Sequence, residues 1–220
     1  MDSNQLIVKP STYLKDKSQL PPHITYKQYV NLRESVIKHW EQKKKFSENY
    51  VKIVNRDLLL IDYMWETGGR IGDIVNITFK DFEGRLLNLY TKKRKKSIVL
   101  DISPELYGDT LNYMRKFKVE ETQLLFPITI QRAWQIIRQY AVDINFPRAL
   151  KMWKSGKEKI TTLRPHLFRH GMAIHLLNQN VRIEVISARL GHSNIKITMD
   201  MYLKVTPEIQ HLHLQNVQWR

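Results

Sequence analysis

The sequence contains no cysteine, and this absence removes several kinds of chemistry at once. Disulfide bonds, thiolate metal sites and a cysteine nucleophile are all excluded. Any covalent catalysis must therefore use another side chain. Glycine and proline are also scarce, with 8 of each among 220 residues, while 42% of the residues are hydrophobic. This composition predicts a folded globular chain rather than a disordered or fibrous one.

Long apolar runs are missing as well. No stretch approaches the roughly 18 consecutive apolar residues that a membrane helix needs. The N-terminal sequence MDSNQLIVKP also lacks the apolar core of a signal peptide. We therefore expect a cytoplasmic protein that makes no contact with a membrane.

Acidic residues are too few to balance the basic ones, since 21 Asp and Glu stand against 36 Lys and Arg and leave a net charge of +15. Such a surplus is typical of proteins that bind nucleic acids. A generally basic proteome or a ribosome-associated role would also explain it. The surplus is concentrated in two stretches, which predict two separate basic surfaces. The first is the run Lys92, Lys93, Arg94, Lys95 and Lys96, and the second contains Arg148, Lys151, Lys154, Lys157, Lys159, Arg164 and Arg169 with a single acid, Glu158.

The length suits one main domain. Residues 1–22 are polar and are interpreted as an extension or linker, residues 23–205 as the domain, and residues 206–220 as a C-terminal tail. A capping box at Thr25 and Gln28 begins the first predicted helix, and a second runs from about Ser47 to the Gly68-Gly69 breaker. Further helices are predicted near residue 70, over about 103–117, 129–143, 165–178 and 182–190, and from Thr198 onward.

One segment has the pattern of a β-hairpin. Short apolar runs at 86–90 and 98–100 flank the basic run 92–96, which predicts two antiparallel strands with a basic tip. The second basic stretch, after Pro147, is predicted to be a loop. The fold class is therefore mainly α with a small antiparallel β-sheet (α+β).

Taken one at a time, most residues that could carry chemistry have ordinary explanations. His166 and Arg169 share a helix face by their spacing, as surface or capping residues often do. His192 follows a predicted helix end, where a histidine favours the negative end of the dipole. Tyr202 is one of 10 tyrosines, and a buried tyrosine usually packs its ring and hydrogen-bonds its hydroxyl. Arg70 is different, because a cation at a helix N-terminus is unfavourable unless an anionic ligand binds there.

In chain order, however, four segments together resemble the tyrosine recombinases, or phage integrase family. They are ETGGRIGDIVNI, the basic hairpin, LRPHLFRHGMAIHLL and LGHSNIKITMDMY. The resemblance covers about residues 20–205 and implies a tyrosine recombinase catalytic-domain fold for residues 23–205. The implied activity is that of a site-specific DNA recombinase of the integrase or resolvase type. Such an enzyme cleaves and religates DNA through a 3′-phosphotyrosyl intermediate and needs no cofactor or metal.

The resemblance also implies a role for each matched residue. The implied catalytic residues are Arg70, Lys92, His166, Arg169, His192 and Tyr202, with Tyr202 as the nucleophile, and the supporting residues are Asp73 and the non-catalytic histidine His170. Lys93, Lys95 and Lys96 are rivals of Lys92, and the register of the hairpin decides among them. The remaining basic residues are interpreted as DNA contacts: Lys93, Arg94, Lys95, Lys96, Arg148, Lys151, Lys154, Lys157, Lys159 and Arg164.

The proposed chemistry requires residues of these types. The transition state of phosphodiester cleavage gathers negative charge on the non-bridging oxygens, to which Arg70 and Arg169 can donate bidentate hydrogen bonds, with His192 as a third donor. The Tyr202 hydroxyl needs a base, because tyrosine ordinarily has a pKa near 10, and His166 is the candidate. The leaving 5′ oxygen needs an acid, for which Lys92 is the candidate. The bond energy kept in the phosphotyrosyl link allows religation without ATP.

Three other functions remain open from the sequence. They are a type IB topoisomerase with similar chemistry, a non-catalytic sequence-specific DNA-binding or accessory protein on the same fold, and a ribosomal or RNA-binding protein. Most family members carry a helical domain ahead of the catalytic one, so the chain is either an excised catalytic domain or a short member like the fimbrial-switch recombinases. We expect double-stranded DNA as the partner, with nucleoid association, a monomer in free solution and a homo-tetramer on paired sites. The apolar residues of the tail predict docking on a neighbouring protomer or on its own core.

Overall fold

The computed structural model describes residues 20–42, 47–93, 95–143, 150–154, 157–161 and 163–203. Within these ranges the chain is mostly helical. The helices are α1 Tyr26–Glu41, α2 Glu48–Thr67, α3 Ile71–Ile74, α4 Pro104–Phe117, α5 Ile130–Asp143, α6 Pro165–Asn178, α7 Ile183–Arg189 and α8 Ile195–Tyr202. The strands are β1 Phe82–Glu83, β2 Leu86–Thr91, β3 Lys96–Asp101, β4 Leu150–Lys154 and β5 Lys157–Thr161.

Helices α1, α2 and α4 begin at the residues that the sequence predicts. The capping box of α1 is formed, because the Thr25 hydroxyl accepts from the Gln28 amide and the Gln28 side chain accepts from the Thr25 amide. Ser47 caps α2, and Ser103 caps α4 with Pro104 in its first turn. Each cap satisfies an amide that a helix start would otherwise leave unpaired.

Helix α2 lies at the centre of the domain and packs against α1, α4 and α6. Every residue from Leu59 to Trp65 is buried, so this part of the helix contacts protein all around its circumference. The buried Tyr63 hydroxyl bonds to Thr110 of α4, and the Glu66 carboxylate accepts from the backbone and hydroxyl of Ser103. These bonds fix the C-terminal end of α2, which leads into the Gly68-Gly69-Arg70 junction.

The predicted basic hairpin is confirmed and belongs to a three-stranded antiparallel sheet in the order β1-β2-β3. Leu86 pairs with Asp101 and Thr91 with Lys96, so residues 92–95 connect the two long strands. Leu87, Leu89 and Leu100 are buried on the face that meets the helical core. The strand residues between them face solvent, as period-two alternation requires.

The prediction of a loop after Pro147 is wrong, because residues 150–154 and 157–161 form a second antiparallel pair with Leu150 opposite Thr161. Ser155-Gly156, a dipeptide typical of turns, separates the two strands in the sequence. The prediction was wrong because it rested on the many lysines of this segment, which are typical of a loop. Lysine disfavours strands only weakly, and the hydrogen bonds between strands are made by the backbone whatever the side chain.

The predicted start of the last helix at Thr198 is also wrong. Helix α8 begins at Ile195, and its N-cap is Asn194, whose side chain accepts from the Lys196 amide. Asparagine is as strong an N-cap as serine or threonine. The earlier start places Thr198 inside the helix, one turn before Tyr202.

The C-terminal half of α6 forms a second apolar cluster with α7 and α8. Its buried members are Met172, Ala173, Ile174, Leu177, Ile186, Leu190 and Tyr202. The predicted extension 1–22, apart from residues 20–22, and the tail 206–220 lie outside the described residues. None of the helices in the described ranges has the length and apolar character needed to cross a bilayer.

Candidate active site

Two glycines place Arg70 at the junction between α2 and α3. Gly68 ends α2 in the left-handed conformation, with φ of +59°, and a Cβ there would come within 2.2 Å of the Met172 side chain on α6. Only glycine combines this conformation with so close an approach. The Arg70 carbonyl then accepts from the Asp73 and Ile74 amides. Arg70 itself is half-buried at the N-cap of α3, and its charge lowers the pKa of His166 on α6.

Arg169 is buried on α6, with 5% of its surface exposed. Its Nη1 donates to the Gly68 carbonyl at 2.8 Å, and its Nη2 donates to the Leu190 carbonyl at 2.5 Å. These carbonyls belong to the ends of α2 and α7, which are far apart in the sequence. The guanidinium is therefore held in one plane before any substrate arrives, as bidentate anion recognition requires.

His192 lies directly after Gly191, and its ring contacts two further site residues. Its Nε2 is 3.1 Å from Arg169 Nη2, and its Nδ1 is 2.7 Å from the Thr198 hydroxyl. Gly191 has φ of +62°, and a Cβ there would come within 2.0 Å of Ile98 on β3. The turn that carries His192 is thus packed directly on the basic hairpin.

Tyr202 is almost fully buried, with 1% of its surface exposed. Its hydroxyl is 2.6 Å from Nδ1 of His170, so the candidate nucleophile contacts His170 and not His166. Burial raises the pKa of Tyr202 above its ordinary value, and the Arg169 charge opposes this shift. Burial, together with the nearby His166 and Arg169, lowers the pKa of His170 to about 3, so this ring stays neutral near pH 7.

His166 lies one helical turn before His170, and the two rings meet edge to face with centroids 4.9 Å apart. His166 is exposed, yet desolvation by the surrounding protein lowers its pKa, and the charges of Arg169, Arg70 and Lys93 lower it further. A neutral imidazole can accept a proton. The pKa shift therefore suits His166 to the role of a base.

The hairpin is attached to this site through Asp73. The Asp73 carboxylate accepts from the Lys92 amide at 3.0 Å, which fixes the chain just after β2. The lysine side chains of the hairpin are exposed. Of these, Lys93 is the one whose charge lowers the pKa of His166. The register thus brings Lys93 into electrostatic contact with the site, while Lys92 contributes its backbone amide to Asp73.

The structure brings together most of the residues that the sequence singles out. Arg169 contacts His192, and His170 contacts both His166 and Tyr202. Arg70 is bonded to Asp73 through its backbone and acts on His166 through its charge. Among the predicted DNA contacts, Lys93, Lys95, Lys96 and Arg164 are exposed. Lys151, Lys154, Lys157 and Lys159 belong to strands β4 and β5, whereas Arg94 and Arg148 lie outside the described residues.

Two features of the site were missed from the sequence. One is the contact between His170 and Tyr202, and the other is the contact between Thr198 and His192. The second had a usable signal, because Thr198 and Tyr202 are four residues apart and share a helix face. Among the residues that the structure describes, no group of three or more histidine or acidic side chains is arranged to hold a metal ion.

Comparison with known proteins gives one matching family model and a set of relatives and solved structures. The model of the Phage integrase family matches residues 35–208. The chain is 25% identical over 177 residues to the tyrosine recombinase XerA of Pyrococcus furiosus, covering 76% of this chain and 56% of that protein. It is 26% identical over 211 residues to the tyrosine recombinase XerD of Pasteurella multocida, covering 89% of this chain and 62% of that protein. The chain thus spans about half to three fifths of these relatives.

Solved structures share the architecture at lower sequence identity. The XerH site-specific recombinase bound to its difH substrate in a pre-cleavage complex superimposes with a TM-score of 0.66 at 18% identity, covering 92% of this chain and 55% of that one. The catalytic domain of bacteriophage HP1 integrase gives a TM-score of 0.55 at 18% identity, covering 83% of this chain and 86% of that domain. These likenesses confirm a mainly helical fold with a small antiparallel sheet.

Proposed function

This chain belongs to the phage integrase family, and from that premise we propose that it is a site-specific DNA recombinase of the integrase or resolvase type. It cleaves and religates DNA through a 3′-phosphotyrosyl intermediate formed by Tyr202. The observation that carries this proposal is that two sets of contacts meet on α6 and α8. Arg169, His192 and Thr198 form one set, and His166, His170 and Tyr202 form the other. Burial raises the pKa of Tyr202 and the charge of Arg169 opposes this shift, so the two sets are close to each other. An anion-binding group and a candidate nucleophile therefore lie side by side.

The scissile phosphate binds between Arg70 and Arg169. Both guanidiniums donate to its non-bridging oxygens, and His192 adds a third donor. The carbonyl bonds of Arg169 fix the orientation of its guanidinium. The N–H of Nη2 that faces His192 becomes available to the phosphate once His192 is protonated and donates a hydrogen bond itself. Preorganised donors stabilise developing charge without reorganising during the reaction.

Cleavage begins when Tyr202 leaves its contact with His170 and turns its hydroxyl to the phosphorus. The proton of the hydroxyl passes to His166, the tyrosine oxygen bonds to phosphorus, and the bond to the 5′ oxygen breaks. A hairpin lysine gives its proton to that 5′ oxygen. Religation reverses these steps with the 5′ hydroxyl of a partner strand. The burial of Tyr202 means that DNA binding must shift α8 before the attack.

Duplex DNA is the proposed partner, because the lysines of the hairpin and Arg164, the N-cap residue of α6, are exposed and can neutralise backbone phosphates. Relatives solved in complex with DNA, such as XerH, support this choice. We propose that the free protein is a monomer and that four copies assemble on two sites, with residues 206–220 exchanged head to tail between neighbours. Sedimentation of the protein with and without paired sites measures this assembly.

A supercoiled plasmid carrying two copies of the target site tests the function as a whole. Recombinant circles that depend on Tyr202 support the proposal. Relaxation without recombinants indicates a topoisomerase, and a mobility shift without any strand cleavage indicates a DNA-binding or accessory protein. Either of the last two outcomes contradicts the proposed function.

The pH dependence of cleavage tests His166 as the base. Because neighbouring groups hold the pKa of His166 below its ordinary value of 6.5, the rate should remain high at pH 7 and fall as the pH drops through a value below 6.5. Lys93→Gln removes one of the charges that lower this pKa, so the acid limb should move to higher pH. Lys96→Gln, on the same hairpin, is the matched control and should leave the limb in place. If the acid limb of the pH–rate profile stays in place in both variants, His166 is not the base.

A substrate with sulfur in place of the 5′ bridging oxygen tests which hairpin lysine is the acid. A thiolate leaves without a proton, because its pKa is far below that of an alcohol. Loss of the acid should slow cleavage of the oxygen substrate by about 10²–10⁴-fold and be rescued by sulfur. We expect rescue for Lys92→Ala, and rescue for Lys93→Ala instead would transfer the role to Lys93. Lys96→Ala should show no rescue and should lower the salt slope of binding by about one unit.

A further inference from the structure

The two ring nitrogens of His192 have different partners. Nε2 faces Nη2 of Arg169 at 3.1 Å. An arginine guanidinium only donates hydrogen bonds and stays protonated in proteins. Nε2 must therefore be the acceptor of this bond, and it carries no proton in this state.

The proton of the neutral His192 ring is consequently on Nδ1. Nδ1 lies 2.7 Å from the Thr198 hydroxyl oxygen, which can accept it. Thr198 is fully buried, with 0% of its surface exposed. A valine would fill the same space, so packing alone does not explain a hydroxyl group at this position. The contact with His192 does explain it.

Thr198 also belongs to the helix of the candidate nucleophile. It lies inside α8, four residues before Tyr202, and both side chains are buried on the face that meets the rest of the domain. The hydrogen bond thus links a histidine of the phosphate site to the helix that presents the attacking hydroxyl. Thr198 is thus a neighbour of Tyr202 on the same helix and also contacts a histidine that lies outside that helix.

We propose that Thr198 is a positioning residue that fixes the tautomer and orientation of His192. With Nδ1–H held by the Thr198 oxygen, only Nε2 faces the anion site. When Nε2 gains a proton from solvent, both nitrogens of the imidazolium donate, Nδ1 to Thr198 and Nε2 to a non-bridging oxygen of the phosphate. The catalytic consequence rests on the proposed function, whereas the tautomer is a property of the free protein.

Nitrogen-15 NMR of the histidine rings in the free protein tests the tautomer directly, at a pH at which the His192 ring is neutral. The His192 signals are assigned by their loss in His192→Asn. We expect the Nδ1–H form in the wild-type protein and in Thr198→Ser, and a shift toward the Nε2–H form in Thr198→Val. The matched control is Thr110→Val, which removes an equally buried hydroxyl that contacts Tyr63 rather than the site. It should leave the His192 signals unchanged.

Single-turnover cleavage provides the second measurement. At metal sites, removing the hydrogen-bond partner that orients a histidine ligand costs about 10–100-fold, and by analogy we expect a loss of that size in the cleavage rate of Thr198→Val. DNA affinity should be nearly unchanged, Thr198→Ser should recover most of the rate, and Thr110→Val should lose little. A purely structural role would instead lower the stability of both valine variants without moving the tautomer.

The two measurements separate the possible failures. An Nε2–H tautomer in the wild-type protein overturns the proposal by itself, even if Thr198→Val does not fold. A Thr198→Val variant with unchanged tautomer and rate also overturns it. If the tautomer behaves as expected but the wild-type protein cleaves no DNA, the positioning contact stands and the proposed function is wrong.

Discussion

Replacing Tyr202 with phenylalanine is expected to abolish covalent capture of DNA. The substitution removes the hydroxyl that we propose bonds to phosphorus and keeps the ring that fills the cluster of α6, α7 and α8. The lost hydrogen bond to His170 should cost about 1 kcal/mol of stability, which leaves the domain folded. Binding to DNA should therefore persist while the adduct disappears.

The measurement uses duplexes with a randomised core and a nick that traps the cleaved strand. Covalent protein–DNA adducts that survive detergent are recovered, and their DNA is sequenced. The sequences identify the target site, and the adducts show that the protein is covalently attached to it. Tyr63→Phe is the matched control, since Tyr63 is also buried and its hydroxyl also makes one side-chain hydrogen bond. It should retain the adduct. Undiminished capture by Tyr202→Phe would show that another nucleophile acts.

Replacing Arg169 with lysine is expected to lower the cleavage rate by roughly 10²–10³-fold, on the scale of losing a preorganised donor to a developing oxyanion. A lysine retains the charge but cannot donate in a fixed fork to two oxygens. It also lacks the two separate nitrogens that donate to the carbonyls of Gly68 and Leu190, so the melting temperature should fall as well. DNA affinity should change much less than the rate. Arg169→Ala should show the same pattern with a larger loss of stability.

The stability loss needs a control of its own, and Arg189 offers one. Arg189 on α7 is half-buried and donates to the carbonyls of Glu66 and Asp101, at 3.0 and 2.9 Å. Arg189→Lys should therefore destabilise the domain to a similar degree. If its cleavage rate fell as far as that of Arg169→Lys, the effect of Arg169 would be structural and its bidentate role would be wrong.

The sequence alone was sufficient for elements whose signals lie within a few residues. The capping box at Thr25, the glycine that ends α2 and the proline at the start of α4 each act over one helical turn, and each is found where predicted. The basic hairpin was also predictable, because its apolar runs alternate on either side of the tip. Two predictions were wrong. The lysine-rich segment after Pro147 was predicted to be a loop but forms two strands, and the last helix was predicted to begin at Thr198 although Asn194 is its N-cap.

The sequence by itself therefore determined the family, the helical domain and the residue types of the site, because these depend on local patterns and on motifs in chain order. The tertiary structure decided which groups touch. Tyr202 meets His170 rather than His166, and His192 meets Thr198. These contacts depend on how α6, α7 and α8 pack around one apolar cluster, and no spacing along the chain specifies that packing. His170 and Tyr202, which are 32 residues apart, come to 2.6 Å only when the burial of apolar surface has fixed the helices relative to one another.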